Sequence, residues 1–272
     1  MAEIFFSILG PMEARVDEEV VALHATRQRA ILAMLLMSAG HVVSLDRLTD
    51  AVWDGDPPPT AKRQIHICIS ALRRNLRVPG LIATGELGYR ITVRPEQFDF
   101  ALFEAGVRRG RAALAEGSHA EARHHLATAL ARWNGDALAG VRGRAARAIA
   151  VHLEEARVGA LEDFIEARLA LGEHRDLVDD LVELVEQFPL RERIRAALMI
   201  ALYRCSRQAE ALAQFRRARA ELREELGIEP GEGLCDLHRA ILAQDDEVMD
   251  PQGAGMRMSL TSASSWASAS RN

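Results

Sequence analysis

A basic amphipathic segment at residues 60–77, followed directly by a short glycine-containing hairpin pattern at residues 81–94, most constrains how this chain can fold. At about 100° per residue, a helix through the segment has one apolar side centred on Ile65. The residues within about 60° of Ile65 are Ala61, Cys68, Ile69, Leu72 and Leu76. The segment also contains five cations and no acidic residue. The pattern predicts a helix that is anchored along one side and basic on the other.

The side of this helix opposite Ile65 is suited to contact a DNA major groove, where guanidinium groups reach guanine O6 and N7. The residues that we expect to face bases are Arg63, Gln64, Ile67 and Ser70. Those that we expect to hold phosphates are Lys62, Arg73, Arg74 and Arg77. Ile67 is aliphatic and faces away from the core, which favours contact with a thymine methyl group. The alternative is a solvated helix that is basic by chance.

The flanking segments predict the rest of a small DNA-binding fold. An acidic, proline-rich loop at residues 54–59 separates the basic helix from the helix before it. The preceding elements that we expect are short strands at 3–16 and 18–23 around the Gly10-Pro11 turn, an apolar helix at 30–38, and a helix at 44–53 capped by Ser44.

A helix, a short link and a strand ending in the pattern T-x-x-x-G-Y-R, here from Thr84, resemble the winged helix-turn-helix of OmpR-type regulators. The resemblance implies that residues 1–95 form a DNA-binding domain in which the basic segment is the recognition helix. Wing contacts would come from Arg90 and Arg94. Where wings of this family often carry an arginine, this chain has Gly85 followed by an acid, so we expect the wing to add little affinity.

Composition is consistent with two domains but does not identify their function. The 272 residues are 49% hydrophobic and carry a net charge of −5, so the charge of the whole molecule does not favour nucleic acid. The cations of residues 1–95 are concentrated in the basic segment, and DNA responds to the local field. Three separated cysteines, no long apolar run and no signal-peptide pattern predict a cytoplasmic protein with no membrane contact.

From Phe98 onward the sequence pattern is almost wholly helical and contains a weak internal repeat. Residues 167–189 align with residues 201–222 at an offset of 34, and residues 117–133 fit the frame of the second helix of such a pair. The paired positions are Ala167 and Ala201, Gly172 and Ser206, Leu177 and Ala211, Leu181 and Phe215, and Leu184 and Ala218. This spacing is typical of tetratricopeptide-like repeats, which stack into curved arrays. An all-helical bundle without repeats is the alternative.

Two segments of the helical region resemble the ends of the bacterial transcriptional activation domain: residues 98–138, beginning FDFALFEAG, and residues 226–242, LGIEPGEGLCDLHRAIL. That domain follows an OmpR-type winged helix in the Streptomyces antibiotic regulatory protein (SARP) family, which the chain resembles. The expected fold is mainly α with a small β component: a winged helix-turn-helix at 1–95 and an all-α tetratricopeptide-like domain at 96–244. Residues 245–272 are expected to form a disordered tail.

The resemblance implies a transcriptional activator of an antibiotic biosynthetic gene cluster. Members bind tandem direct repeats in double-stranded DNA near the −35 element and recruit RNA polymerase. Because one winged helix reads only a few base pairs, we expect two copies side by side on DNA. The alternative is a ligand-responsive repressor or sensor whose helical domain binds a metabolite.

The loop before the basic helix is a candidate for the contact with RNA polymerase. Phosphates would repel Asp54 and Asp56, and three prolines hold the loop extended with little entropy left to lose. Such a loop suits a basic protein surface on the same DNA, and the resemblance to OmpR-type activators implies region 4 of the principal sigma factor. A plain acidic connector is the alternative.

No residue pattern predicts an enzyme, a cofactor or a metal site. His119, His124 and His125 lie at i, i+5 and i+6 of a predicted helix, whereas metal-binding pairs on a helix need i, i+3 or i, i+4. The basic segment pairs Ser70 with His66 but has no acid to orient them as a nucleophile and base.

Overall fold

The computed structural model describes residues 3–23 and 25–250. These residues divide into two compact units. Of the described residues, the first unit contains 3–23, 25–112 and 124–161, and the second contains 113–123 and 162–250. No helix in the described ranges is long and apolar enough to span a membrane.

The first unit begins with a three-stranded antiparallel sheet: β1 (Ile4–Ser7), β2 (Glu13–Val16) and β3 (Glu19–Val20). The predicted strands are therefore confirmed, although they are shorter than the predicted ranges. Ile4 pairs with Val16, and the side chains of Ile4 and Phe6 alternate onto the buried face of the sheet.

The winged helix follows, and its parts are α1 (Thr26–Met37), β4 (Val43–Ser44), α2 (Leu45–Trp53), α3 (Ala61–Leu76), β5 (Ile82–Thr84) and β6 (Gly88–Ile91). The Ser44 cap is confirmed, because its hydroxyl accepts the Arg47 backbone N–H at 3.2 Å. The strand order is β4-β6-β5, so the wing hairpin is anchored to a two-residue strand that the sequence did not predict. This pairing needs Gly88, since a Cβ there would lie 2.0 Å from the carbonyl oxygen of Val43.

The chain then forms three further helices, α4 (Asp99–Ala115), α5 (His119–Leu130) and α6 (Arg144–Ala170). Within the first unit, Phe6 of β1 forms a parallel bridge with Phe98, which directly precedes α4. Pro11 forms another bridge with Ala139. The amino-terminal sheet and the turn after β1 are therefore hydrogen-bonded to residues that follow the wing in sequence.

The second unit includes α7 (His174–Gln187), α8 (Glu192–Arg204), α9 (Gln208–Leu226), α10 (Glu232–Ala243) and α11 (Asp246–Met249). The predicted offset of 34 is present in the helix bounds, since α7 and α9 begin at 174 and 208 and α6 and α8 end at 170 and 204. The paired turn residues Gly172 and Ser206 both have positive φ, at 78° and 63°. The two helical pairs thus repeat one local geometry.

Residues 246–250 were predicted to belong to a disordered tail, but the structure shows them ordered. Residues 246–249 form α11, and Val248 is buried. Arg204 of α8 donates to the carbonyl oxygens of Val248 at 2.9 Å and Asp250 at 3.1 Å, which fixes this stretch. The composition of residues 245–272 could not predict these hydrogen bonds, because their donor lies in α8. The rest of the predicted tail, residues 251–272, lies outside the described residues.

Candidate nucleic-acid interface

The basic helix α3 has one buried side and one exposed side, as its periodicity predicts. The buried residues are Ala61, Ile65, Ile69, Leu72 and Leu76, and Cys68 is half-buried. On the opposite side, Arg63, Ser70 and Arg74 are exposed, and the Ile67 residue is 59% exposed. An aliphatic side chain this exposed on a well-packed helix has no role in the core.

The wing holds one flank of α3. Nδ1 of His66 and the hydroxyl of Tyr89 share a hydrogen bond of 2.5 Å. Arg73 donates from Nε to the carbonyl oxygen of Ile82 at 2.9 Å and from Nη2 to the hydroxyl of Thr84 at 2.8 Å. Its guanidinium carbon also lies 5.6 Å from the centre of the Tyr89 ring.

This arrangement gives Arg73 a structural contact that the sequence did not predict. The side chain was expected to hold phosphate, but its guanidinium links α3 to the wing hairpin. Helical periodicity places Arg73 on a flank of α3, and only the fold shows that β5 lies against that flank. Arg73 therefore links α3 to the wing, and its contact with phosphate stays a prediction.

The other flank of α3 faces α1 and the end of α2. Arg27 donates from Nη1 to Oε1 of Gln64 at 2.5 Å, and Nε2 of Gln64 donates to the hydroxyl of Thr60 at 2.9 Å. Both ends of the Gln64 amide are therefore engaged within the protein. Gln64 was predicted to face bases, but bidentate reading of adenine needs the same two atoms. In this structure the amide is bound to Arg27 and Thr60, and base contact by Gln64 stays a prediction.

The remaining predicted phosphate contacts are exposed. Lys62 lies 3.0 Å from Asp46 in an ion pair in which both side chains are exposed, so this pair holds Lys62 only weakly. Arg77 ends α3 with a left-handed backbone conformation. Arg90 is exposed on β6, and Arg94 pairs with Glu96 at 3.3 Å.

Asp54 has a structural contact that the sequence did not predict. It follows α2 with φ 52°, and its Oδ1 accepts the backbone N–H of Arg144 at 2.6 Å. Arg144 is the first residue of α6, whose initial N–H groups have no partner within the helix. Asp54 therefore caps α6, and both Asp54 and Asp56 are exposed.

Asp99 at the start of α4 is a second buried link within the first unit. Its Oδ2 accepts the backbone N–H groups of Ile8 at 2.8 Å and Leu9 at 3.0 Å. Burial raises the pKa of Asp99 above its usual value, while these hydrogen bonds and Arg132 act in the opposite direction. The acid lies in the FDF sequence that opens the helical region, but no periodicity identifies its partners.

A winged helix with an exposed basic recognition helix, followed in sequence by repeated helical pairs, defines a DNA-binding transcription regulator. Residues 18–91 match the family described as transcriptional regulatory protein, C terminal. Residues 98–242 match the bacterial transcriptional activator domain. The chain belongs to the Streptomyces antibiotic regulatory protein (SARP) family of transcriptional activators.

Named relatives agree with this assignment. Regulatory protein AfsR of Streptomyces griseus is 37% identical over 246 residues, which cover 90% of this chain and 25% of AfsR. Transcriptional regulator RedD of Streptomyces coelicolor is 35% identical over 253 residues, which cover 90% of this chain and 72% of RedD. The chain therefore spans about a quarter of AfsR and most of RedD.

A solved structure has the same fold. Mycobacterium tuberculosis EmbR, in complex with a low affinity phosphopeptide, is 32% identical with a TM-score of 0.85. The match covers 90% of this chain and 66% of the EmbR chain. The predicted fold class, a winged helix followed by a helical activator domain, is thereby confirmed.

Proposed function

We propose that the chain activates an antibiotic biosynthetic gene cluster by inserting α3 into the major groove of promoter DNA. The observation that carries the proposal is the outward side of α3, where Arg63, Ile67, Ser70 and Arg74 are exposed. Hydrogen bonds on both flanks fix the rotation of this helix, so its side chains are preorganised toward a ligand. Arginine suits guanine, and an exposed isoleucine suits a thymine methyl group.

The same proposal includes two protein partners. A second copy would bind side by side on tandem direct repeats near the −35 element, since one winged helix reads few base pairs. RNA polymerase would be recruited through region 4 of the principal sigma factor. The loop beginning at Asp54 supports this contact, because Asp56 is exposed and the three prolines after it keep the loop extended.

Genomic selection followed by footprinting tests the DNA assignment. The full chain is mixed with sheared DNA of its source organism, bound fragments are sequenced, and enriched promoters are footprinted with DNase I. We expect protection of two direct repeats upstream of biosynthetic genes. If a variant with Arg63→Ala and Arg74→Ala enriches the same fragments equally well, α3 is not the reading element.

Run-off transcription tests activation. With purified RNA polymerase holoenzyme, an enriched promoter and no small molecule, we expect the chain to raise transcript levels. Lower transcript levels, or stimulation only after a metabolite extract is added, would instead favour the repressor or sensor hypothesis.

A test of the sigma-factor contact needs a variant in which residue 54 still caps α6. Asn at position 54 still offers an oxygen to the Arg144 N–H and tolerates a left-handed backbone, so Asp54→Asn removes charge without removing the cap. We expect the double variant Asp54→Asn and Asp56→Asn to bind promoter DNA normally but to lose activation. Asp54→Ala serves as the control for loss of the cap. Wild-type transcript levels from the double variant would exclude this loop as the polymerase contact.

A further inference from the structure

Arg27 in the first turn of α1 has an unusual environment. Its guanidinium carbon lies 5.2 Å from the centre of the Trp53 ring, and Nη1 donates to Gln64 at 2.5 Å. Within residues 3–23 and 25–250, this is the one hydrogen bond that the guanidinium makes, although it has five N–H groups. The residue is exposed, so its other N–H groups are available to donate hydrogen bonds to a ligand.

Helix stability does not explain a cation at this position. The first turn of α1 contains no acidic residue, and its N-cap Ala25 provides no side-chain hydrogen bond. A positive charge near a helix N-terminus is unfavourable because it opposes the helix dipole. No carboxylate in the described ranges forms an ion pair with Arg27. The charge is therefore held in place by Trp53 and Gln64 without being neutralised.

We propose that Arg27 binds a DNA phosphate on the flank of α3 opposite the wing, and that Gln64 positions its guanidinium. The proposal rests on the proposed insertion of α3 into a major groove, which is about 12 Å wide and bordered by a phosphate row on each side. His66 and Arg73 define the wing flank of α3. Gln64 lies on the other flank, so Arg27 is adjacent to the second phosphate row.

The chemistry of the site fits a phosphodiester oxygen. A guanidinium stacked on an aromatic ring keeps its N–H edges free, and arginine is the residue that best recognises phosphate with paired donors. The Thr60 hydroxyl fixes the Gln64 amide so that Oε1 points toward Arg27. The Arg27 side chain is therefore already ordered in the free protein, so it loses less conformational entropy when DNA binds.

The salt dependence of DNA binding tests the proposal. The full chain is titrated against a short fluorescein-labelled duplex of random sequence, and anisotropy is measured over a KCl series. We expect Arg27→Ala to lower the slope of log affinity against log salt by about 0.9 and to weaken binding about tenfold at low salt. Arg27→Lys should keep the slope and lose part of the affinity, because it keeps charge without the planar fork.

Two controls separate a phosphate contact from a structural role. Arg108→Ala removes another exposed arginine, from α4, and should keep the wild-type slope. Gln64→Ala should weaken binding in the wild-type chain but have no effect when Arg27 is already alanine, which is the behaviour of a positioning residue. Thermal unfolding of each variant identifies loss of folding.

The outcomes also separate this inference from the proposed function. If Arg74→Ala lowers the salt slope but Arg27→Ala does not, Arg27 makes no phosphate contact although α3 still does. If Arg27→Ala lowers thermal stability and leaves the slope unchanged, its role is structural and the inference is wrong. If neither Arg74→Ala nor Arg27→Ala changes the slope, α3 does not enter the groove and the proposed function fails as well.

Discussion

At the scale of single residues, the arginines around α3 have different roles that their sequence positions do not reveal. Arg63 and Arg74 are exposed on its outer side, whereas Arg73 is bonded to the wing and Arg27 to Gln64. Periodicity predicted the buried side correctly because it follows from helix geometry alone. It could not separate these arginines, since their partners come from other elements of the fold.

Base reading and phosphate binding can be separated by two substitutions on α3. Arg63→Ala should cost about 1–3 kcal/mol of binding free energy and relax the preference at one base position, because a guanidinium fork on guanine is lost. Arg77→Ala should weaken binding to all sequences alike and lower the salt slope by about one. Anisotropy titrations against the footprinted operator and its single-base variants measure both. Equal, sequence-independent losses from the two variants would contradict the assignment of the base-facing side.

His238 should make the stability of the second unit depend on pH. Its ring stacks on Phe215 with centres 3.9 Å apart, and burial, followed by the nearby Arg216, lowers the pKa of His238 below its usual value. On acidification, His238 therefore takes up a proton in the unfolded chain at a higher pH than in the folded chain. Its contribution to the free energy of unfolding is complete above about pH 6.5 and is lost as the pH falls through the folded-state pKa.

Urea unfolding of the wild type and His238→Phe at several pH values measures this effect. Phenylalanine keeps an aromatic ring on Phe215 but cannot be protonated, so the variant should lose less stability on acidification. Burial also lowers the pKa of His174, so part of the pH dependence should remain in the variant. Parallel pH profiles for the two proteins would show that His238 does not contribute.

At the scale of elements, the sequence predicted long and strongly patterned segments better than short ones. The cap at Ser44, the helix α3 and the wing strands follow from local signals, and all are present. Strand β4 has two residues, too few to show alternation, and it exists only because β6 supplies its hydrogen bonds. Its position shows why Gly88 cannot carry a side chain.

The wing therefore offers a matched pair of glycine substitutions. Gly88→Ala should lower the free energy of unfolding by about 3 kcal/mol, because its Cβ would collide with the Val43 carbonyl oxygen in the β4-β6 pairing. Gly85→Ala should be nearly neutral, since its Cβ would lie 3.5 Å from the nearest Val42 methyl group, an ordinary contact. Urea denaturation measures both values. Similar stabilities for the two variants would mean that β4 separates from β6 at little cost.

At the scale of the whole molecule, the compact units do not follow the division suggested by sequence motifs. The two family matches meet between residues 91 and 98, whereas the first compact unit continues to residue 112 and includes residues 124–161. Asp99 accounts for part of this difference, because its carboxylate accepts the backbone N–H groups of Ile8 and Leu9, which follow β1. Such contacts join residues about 90 positions apart, and no local pattern in the sequence encodes them.

The arrangement of two copies on DNA gives the last prediction. If two copies bind direct repeats one helical turn apart, their winged helices lie on the same side of the duplex and can touch. Inserting about five base pairs, half a turn, between the half-sites should abolish cooperative binding because it rotates one copy to the opposite side. Inserting about ten base pairs restores the facing and serves as the control, with part of the cooperativity returning if the copies can still reach each other. Gel shifts over a protein titration measure this, and cooperative binding that survives the half-turn insertion would contradict side-by-side assembly.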